Sequence, residues 1–98
     1  MKYDITDKLK FDADPVIKVR DMEITINSDA ENVLQILDIL QNESEYAAMR
    51  KCMPILLDKE NQEKLRSLKL KTGDYMEVLQ AAVSLALGED PDEENSGK

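Results

Sequence analysis

Ninety-eight residues carry 21 acidic against 13 basic side chains, a formal net charge of −8, with one Phe, three Tyr and no Trp. That balance offers no attractive field to nucleic acid or to an anionic membrane, and no stretch approaches the roughly 18 consecutive apolar residues of a membrane span. The expectation is one small acidic domain with an aliphatic core.

Residues 1–14 are mixed. Tyr3, Ile5, Leu9 and Phe11 occupy odd positions, which suits an extended segment with residues 8–11 as a short third strand. Asp7-Lys8-Leu9 suits a single helical turn equally well. Asp14-Pro15 then opens a hairpin, because proline is tolerated at a strand's first residue. A two-residue turn at Arg20-Asp21 sets Val19 opposite Met22, Lys18 opposite Glu23 and Ile17 opposite Ile24. Cross-strand partners share a face, so Ile17, Val19, Met22, Ile24 and Ile26 form one apolar surface. Lys18, Glu23 and Thr25 fall on the other face. A lone hairpin is marginal in water, so the apolar face needs a cover.

The cover follows at once. Ser28 and Glu31 have capping-box spacing, and a helix from about Asp29 to Gln41 is expected. Its apolar residues Ala30, Val33, Leu34, Ile36, Leu37, Ile39 and Leu40 span more than half the circumference, wider than the stripe of an ordinary surface helix. Ser44 or Asn42 can cap a second helix whose Tyr46, Met49, Met53, Leu56 and Leu57 share a face. Pro54 should kink or restart that helix, standing in its first turn. Residues 58–71 read as a short exposed helix and a loop, with Leu65, Leu68 and Leu70 apolar. Thr72 is expected to cap a last helix, which Gly88 ends and Pro91 cannot continue. Residues 89–98 carry five acids, one lysine and no large apolar residue, so a disordered acidic tail is expected after a domain of residues 1–88. The fold class is α+β: an N-terminal hairpin, with residues 8–11 as an optional third strand, packed on three to four helices.

Chemistry-bearing motifs are sparse. There is no histidine, which removes the commonest general acid–base and metal ligand. Cys52 is the one cysteine, so no internal disulfide can form and a reducing cytoplasm fits best. It reads as a small buried hydrophobe rather than a nucleophile. No signal-peptide run opens the sequence. The series Asp90-x-Asp92-x-Glu94 resembles the start of a calcium loop, but the turn glycine is misplaced and no closing glutamate follows. Carboxylate pairs at Asp4/Asp7, Asp12/Asp14 and Glu43/Glu45 fall in stretches expected to be exposed, where nothing raises a pKa. The expectation is a protein that is not an enzyme and needs neither cofactor nor metal.

What remains is surplus apolar surface on two helices. A compact layer in which each helix packs on both the sheet and another helix accounts for it. Contact with a second chain, a copy or a client, accounts for it as well. On that view Ile36, Ile39 and Leu40 of the first helix, and Met76, Val83 and Leu87 of the last, are the candidate protein-binding residues. Met22, Met49, Met53 and Met76 suit either use, since thioethers fill irregular gaps and adaptable contacts alike.

Several strings carry a family resemblance. Lys8-Leu9-Lys10-Phe11-Asp12-Ala13-Asp14-Pro15-Val16-Ile17 is one, and Arg20-Asp21-Met22-Glu23-Ile24-Thr25-Ile26-Asn27-Ser28-Asp29-Ala30-Glu31 is another. Val33-Leu34, Leu37 and Gly88-Glu89-Asp90 after an Ala-rich helix extend it. Together these resemble the tail assembly chaperones of long-tailed phages and prophages of Gram-positive bacteria. The resemblance covers nearly the whole chain, through fold-level strings without a catalytic signature. It implies a non-catalytic protein of the bacterial host cytoplasm that coats the tape-measure protein and helps recruit tail-tube subunits. It also implies a longer form made by ribosomal frameshifting in many members. The rival expectation is a small acidic phage or prophage regulatory or anti-defence protein that binds a host protein.

Overall fold

Two strands and four helices follow one another along residues 1–90, the part of the chain that the computed structural model describes. The expectations for Pro91 and for the rest of the acidic tail lie outside the described residues. Strand β1 (Val16–Val19) pairs antiparallel with β2 (Met22–Thr25) in the expected register, Lys18 opposite Glu23 and Ile17 opposite Ile24. Ile26 N–H donates to the Pro15 carbonyl at 2.8 Å, which adds one more rung to the ladder. Pro15 needs only to accept there, so its missing N–H disturbs little. Ile24 and Ile26 are fully buried, Ile17, Val19 and Met22 half-buried, and Lys18, Glu23 and Thr25 exposed. The alternation read from the sequence is therefore the alternation of the fold. Arg20 opens the turn at φ 57°, a left-handed conformation that non-glycine residues adopt sparingly.

The segment before the hairpin departs from one expectation. No third strand forms at 8–11 among the described residues. A 3₁₀ turn covers Thr6–Lys8 instead, where the Asp4 carboxylate accepts from Thr6 N–H at 2.9 Å and from the Thr6 hydroxyl. Phe11 at φ 53° interrupts any extended run.

Helix α1 (Ala30–Asn42) starts from Asp29, not from a capping box. The Ser28 hydroxyl donates to Asp14 Oδ1 at 3.0 Å, which ties the entry of β1 to the β2–α1 link, and Ser28 stands one residue before the N-cap position. Helix α2 (Glu45–Leu56) runs through Pro54 without restarting. Pro54 stands in the last turn, not the first. The carbonyl four residues back belongs to exposed Arg50, where water can replace the lost bond. Helix α4 (Thr72–Ala86) takes Lys71 as its cap, with Thr72 as its first residue. It ends as expected at Gly88, φ 83°: Gly88 N–H donates to Leu85 O and Glu89 N–H to Ser84 O, a Schellman closure.

Helix α2 is the hub of the domain, packing on α1, α3 and α4, while α3 (Lys59–Ser67) lies on β2 and α4 on β1. The core is aliphatic, built from Ile24, Ile26, Ile36, Met49, Leu56, Leu57, Leu65 and Leu79 with small residues between them. Tyr46 is the exception on its expected face: it is 68% exposed, outside the core that Met49 and Leu56 enter. Helix α3 is held by a polar clasp. Asp58 Oδ1 accepts from both Asn61 N–H and Asn61 Nδ2, at 2.9 and 2.8 Å. Asn61 Oδ1 in turn accepts from Thr25 N–H at 2.9 Å.

Cys52 lies in the centre of the α2 face with no exposed surface, and burial pushes its thiol pKa up. Both effects suppress the thiolate. In a native-state titration with a disulfide reagent, Cys52 should react at the rate of domain opening and at once in denaturant. Immediate reaction of the folded protein would place Cys52 at the surface.

Candidate functional site

Helix α1 shows how an apolar arc wider than half a turn is divided. Ile36 points inward and is completely buried, while Val33, Ile39 and Leu40 flank it half-buried. The rest of the arc turns outward: Leu34 is 65% and Leu37 40% exposed. Ala30, Leu34, Leu37 and Gln41 fall at i, i+4, i+7 and i+11, one stripe along the solvent side, with Glu31 and Asp38 next to it. Asn42 Nδ2 donates to the Asp38 carbonyl at 2.9 Å and anchors the end of the stripe. Leu34 and Leu37 thus lie on one solvent-facing stripe of a helix that is packed on its other side.

Of the six residues expected to meet a partner, Ile36 and Val83 belong to the core and present no surface to one. Ile39, Leu40, Met76 and Leu87 are half-buried and packed against that core. They serve the two-sided packing that the wide arcs also allow. Leu34 and Leu37 of α1 and Tyr46 of α2 are exposed apolar residues outside that set of six. For Leu34 and Leu37 the signal was present in the α1 arc, since its outer limit had to face solvent once Ile36 defined the inner one.

In each carboxylate pair at least one member holds another residue. Asp4 caps Thr6, Asp14 holds Ser28, Glu43 pairs with Lys51 at 2.9 Å, and Glu45 accepts from Gln80 Nε2 at 2.6 Å, joining α2 to α4. Glu43 is half-buried rather than exposed. The backbone and then the side chain of Asn61 hold the Asp58 carboxyl below its usual range, with Lys64 adding to the effect. Thr6 does the same for Asp4 through its hydroxyl and its N–H. These are capping effects, in which donors favour the ionised form. Among the described residues, no group of three His, Cys, Asp or Glu side chains is placed to hold a metal ion, and no helix is long and apolar enough to cross a membrane.

Comparison with protein-family models, with curated proteins and with solved structures finds no match to this chain.

Proposed function

We propose that this protein is a non-catalytic assembly chaperone of the phage-tail type, acting in the host cytoplasm. Its client is an apolar helical segment of the tape-measure protein, around which tail-tube subunits are then recruited. The observation that carries the reading is the outer stripe of α1, where Leu34 and Leu37 stay exposed on the solvent side of a packed helix. Glu31 and Asp38 beside the stripe favour a client with basic residues next to its apolar ones. The resemblance of residues 8–31 to tail assembly chaperones supplies the identity of that client.

Co-expression with the tape-measure protein encoded near this gene should yield a complex on purification. Leu34→Glu and Leu37→Glu together should weaken it at least tenfold, about 1.4 kcal/mol or more. Because both side chains are exposed, the melting temperature of the free protein should stay close to that of the parent. Purification without tape-measure or tail-tube protein, or a complex indifferent to both substitutions, would overturn the assignment.

A further inference from the structure

The two edges of the hairpin are treated unequally. On the outer edge of β2 three backbone groups have partners. Glu23 O accepts from Lys64 Nζ at 3.0 Å, Thr25 N–H donates to Asn61 Oδ1 at 2.9 Å, and Asn27 N–H donates to Leu56 O at 2.7 Å. The outer edge of β1 has none of this. Ile17–Ile24 and Pro15–Ile26 are hydrogen-bonded rungs, so the N–H and C=O groups of Val16 and Lys18 point away from β2. The sheet has two strands, and among the described residues no hydrogen bond reaches those outward groups. Pro15 does not guard this edge, because its ring nitrogen faces β2. Proteins normally cover a sheet edge or disfavour its pairing.

A second exposed feature lies in the same region. The N-terminal arm leaves Leu9 49% and Phe11 77% exposed, with Lys10 between them and Lys8, whose ammonium donates to the Tyr3 hydroxyl within the arm, just before. Beside the hairpin turn opens a cleft of about 550 Å³, floored by Val19, Leu68, Leu70 and Val78 and walled by Asp74 and Glu77. The arm joins β1 at the end of the strand opposite this cleft.

We propose that β1 pairs antiparallel with β1 of a second copy, about a two-fold axis at Ile17, and that this pairing delivers each arm to the other copy's cleft. Val16 of one copy then exchanges both backbone hydrogen bonds with Lys18 of the other. Asp14 lies opposite Arg20 of the second copy, and the symmetry repeats the charge pair. An axis at Lys18 would instead set Lys18 against itself. The axis at Ile17 also keeps the pairing within residues 15–19, which are already extended or adjoin the strand. Beyond Asp14, each arm continues past the second copy's turn, where Val19 and Arg20 border the cleft. Leu9 and Phe11 match its apolar floor, and Lys8 and Lys10 match Asp74 and Glu77. The result is a four-stranded sheet with both inner edges covered. This dimer rests on the sheet and the arm, and stands whether or not α1 binds a client.

Sedimentation of the full chain at about 100 μM, where a dimer of micromolar Kd is mostly associated, should show a dimer. Val16→Pro removes one outward N–H and leaves the β1–β2 ladder intact, so it should give a folded monomer by circular dichroism. Asp14→Lys and Arg20→Glu should each weaken association at least tenfold, and the double variant should recover most of that loss. Leu9→Ser with Phe11→Ser alters exposed side chains only, and should weaken the dimer without loss of helical signal. A parent protein monomeric at that concentration, with its arm folded onto its own cleft or free, would overturn the proposal. So would a Val16→Pro dimer, a double charge variant no tighter than either single one, or a dimer unmoved by the arm substitutions.

Discussion

Ile24→Ala is expected to destabilise the domain by roughly 2–5 kcal/mol, the range for deleting a fully buried branched side chain and leaving a cavity. Ile24 has no exposed surface and sits in β2, where it faces Ile17 across the hairpin and enters the core shared with the helices. Three methyl or methylene groups are lost, about 0.8 kcal/mol each in transfer alone, and the cavity adds to that. Relaxation is restricted on both flanks. The β1 ladder fixes the strand on one side, and the Asn61 bond to Thr25 N–H fixes it on the other. For a domain this size, with a total stability of about 5–15 kcal/mol, the melting temperature should fall by about 10 °C or more. Ile17→Ala is the internal control, because Ile17 is half-buried on the same face and should cost clearly less. Urea titrations of both variants measure the difference. A loss under about 1 kcal/mol for Ile24→Ala would mean that the hairpin face is not sealed by the helices.

That face was legible in the sequence because a strand's period is two and the turn fixes its phase. Once Arg20-Asp21 is the turn, Ile17, Met22, Ile24 and Ile26 have one side available to them. Gly88 was legible for a similar reason: a left-handed residue after a long apolar helix needs little context. The misreadings arise where a local signal competes with a tertiary partner. Ser28 has the spacing of a cap, but the helix begins one residue later, from Asp29, and the Ser28 hydroxyl donates to Asp14, fourteen positions away. Leu9 and Phe11 alternate like a strand, but the left-handed φ of Phe11 breaks the extended run and Asp4 holds a 3₁₀ turn at Thr6–Lys8 just before it. Pro54 reads as a helix start, but its position in the last turn loses one bond at a carbonyl that water can reach.

The exposed stripe of α1 was legible only in part. The width of the α1 arc showed that some apolar residues had spare surface, but periodicity alone does not tell the inner half of an arc from the outer. Ile36 turned inward and Leu34 outward because α2 packs on one side of α1. That choice belongs to the tertiary fold. Residues 58–67 posed a related problem. One asparagine among charged neighbours carries no mark of burial, and its role depends on a strand 36 positions earlier.

Asn61→Leu tests that role and is expected to cost about 1–3 kcal/mol, the penalty for leaving a donor without its acceptor, although the branching of the side chain is kept. Asn61 is only 6% exposed and joins three elements: its amide holds Asp58, its oxygen holds Thr25, and its own N–H completes the cap of α3. Leucine keeps the backbone N–H but removes the side-chain donor to Asp58 and the acceptor for Thr25. The pH dependence separates this account from a simple packing defect. In the folded protein the Asp58 carboxyl titrates below its unfolded value of about 3.9, chiefly through the Asn61 backbone and then its side chain. A depressed folded pKa contributes stability that is present above the unfolded value and is lost as pH falls through the folded one. The parent protein should therefore lose stability between about pH 4 and lower pH through this group, and Asn61→Leu should lose less over the same window. Urea titrations of both proteins at pH 7 and at about pH 3 give the comparison. Asn61→Asp completes the set: it keeps an acceptor for Thr25 but sets a second carboxylate against Asp58, so its deficit should be larger at neutral pH than in acid. Parallel pH profiles for all three proteins would show that the Asn61 side chain does not help hold the Asp58 carboxyl in its ionised form.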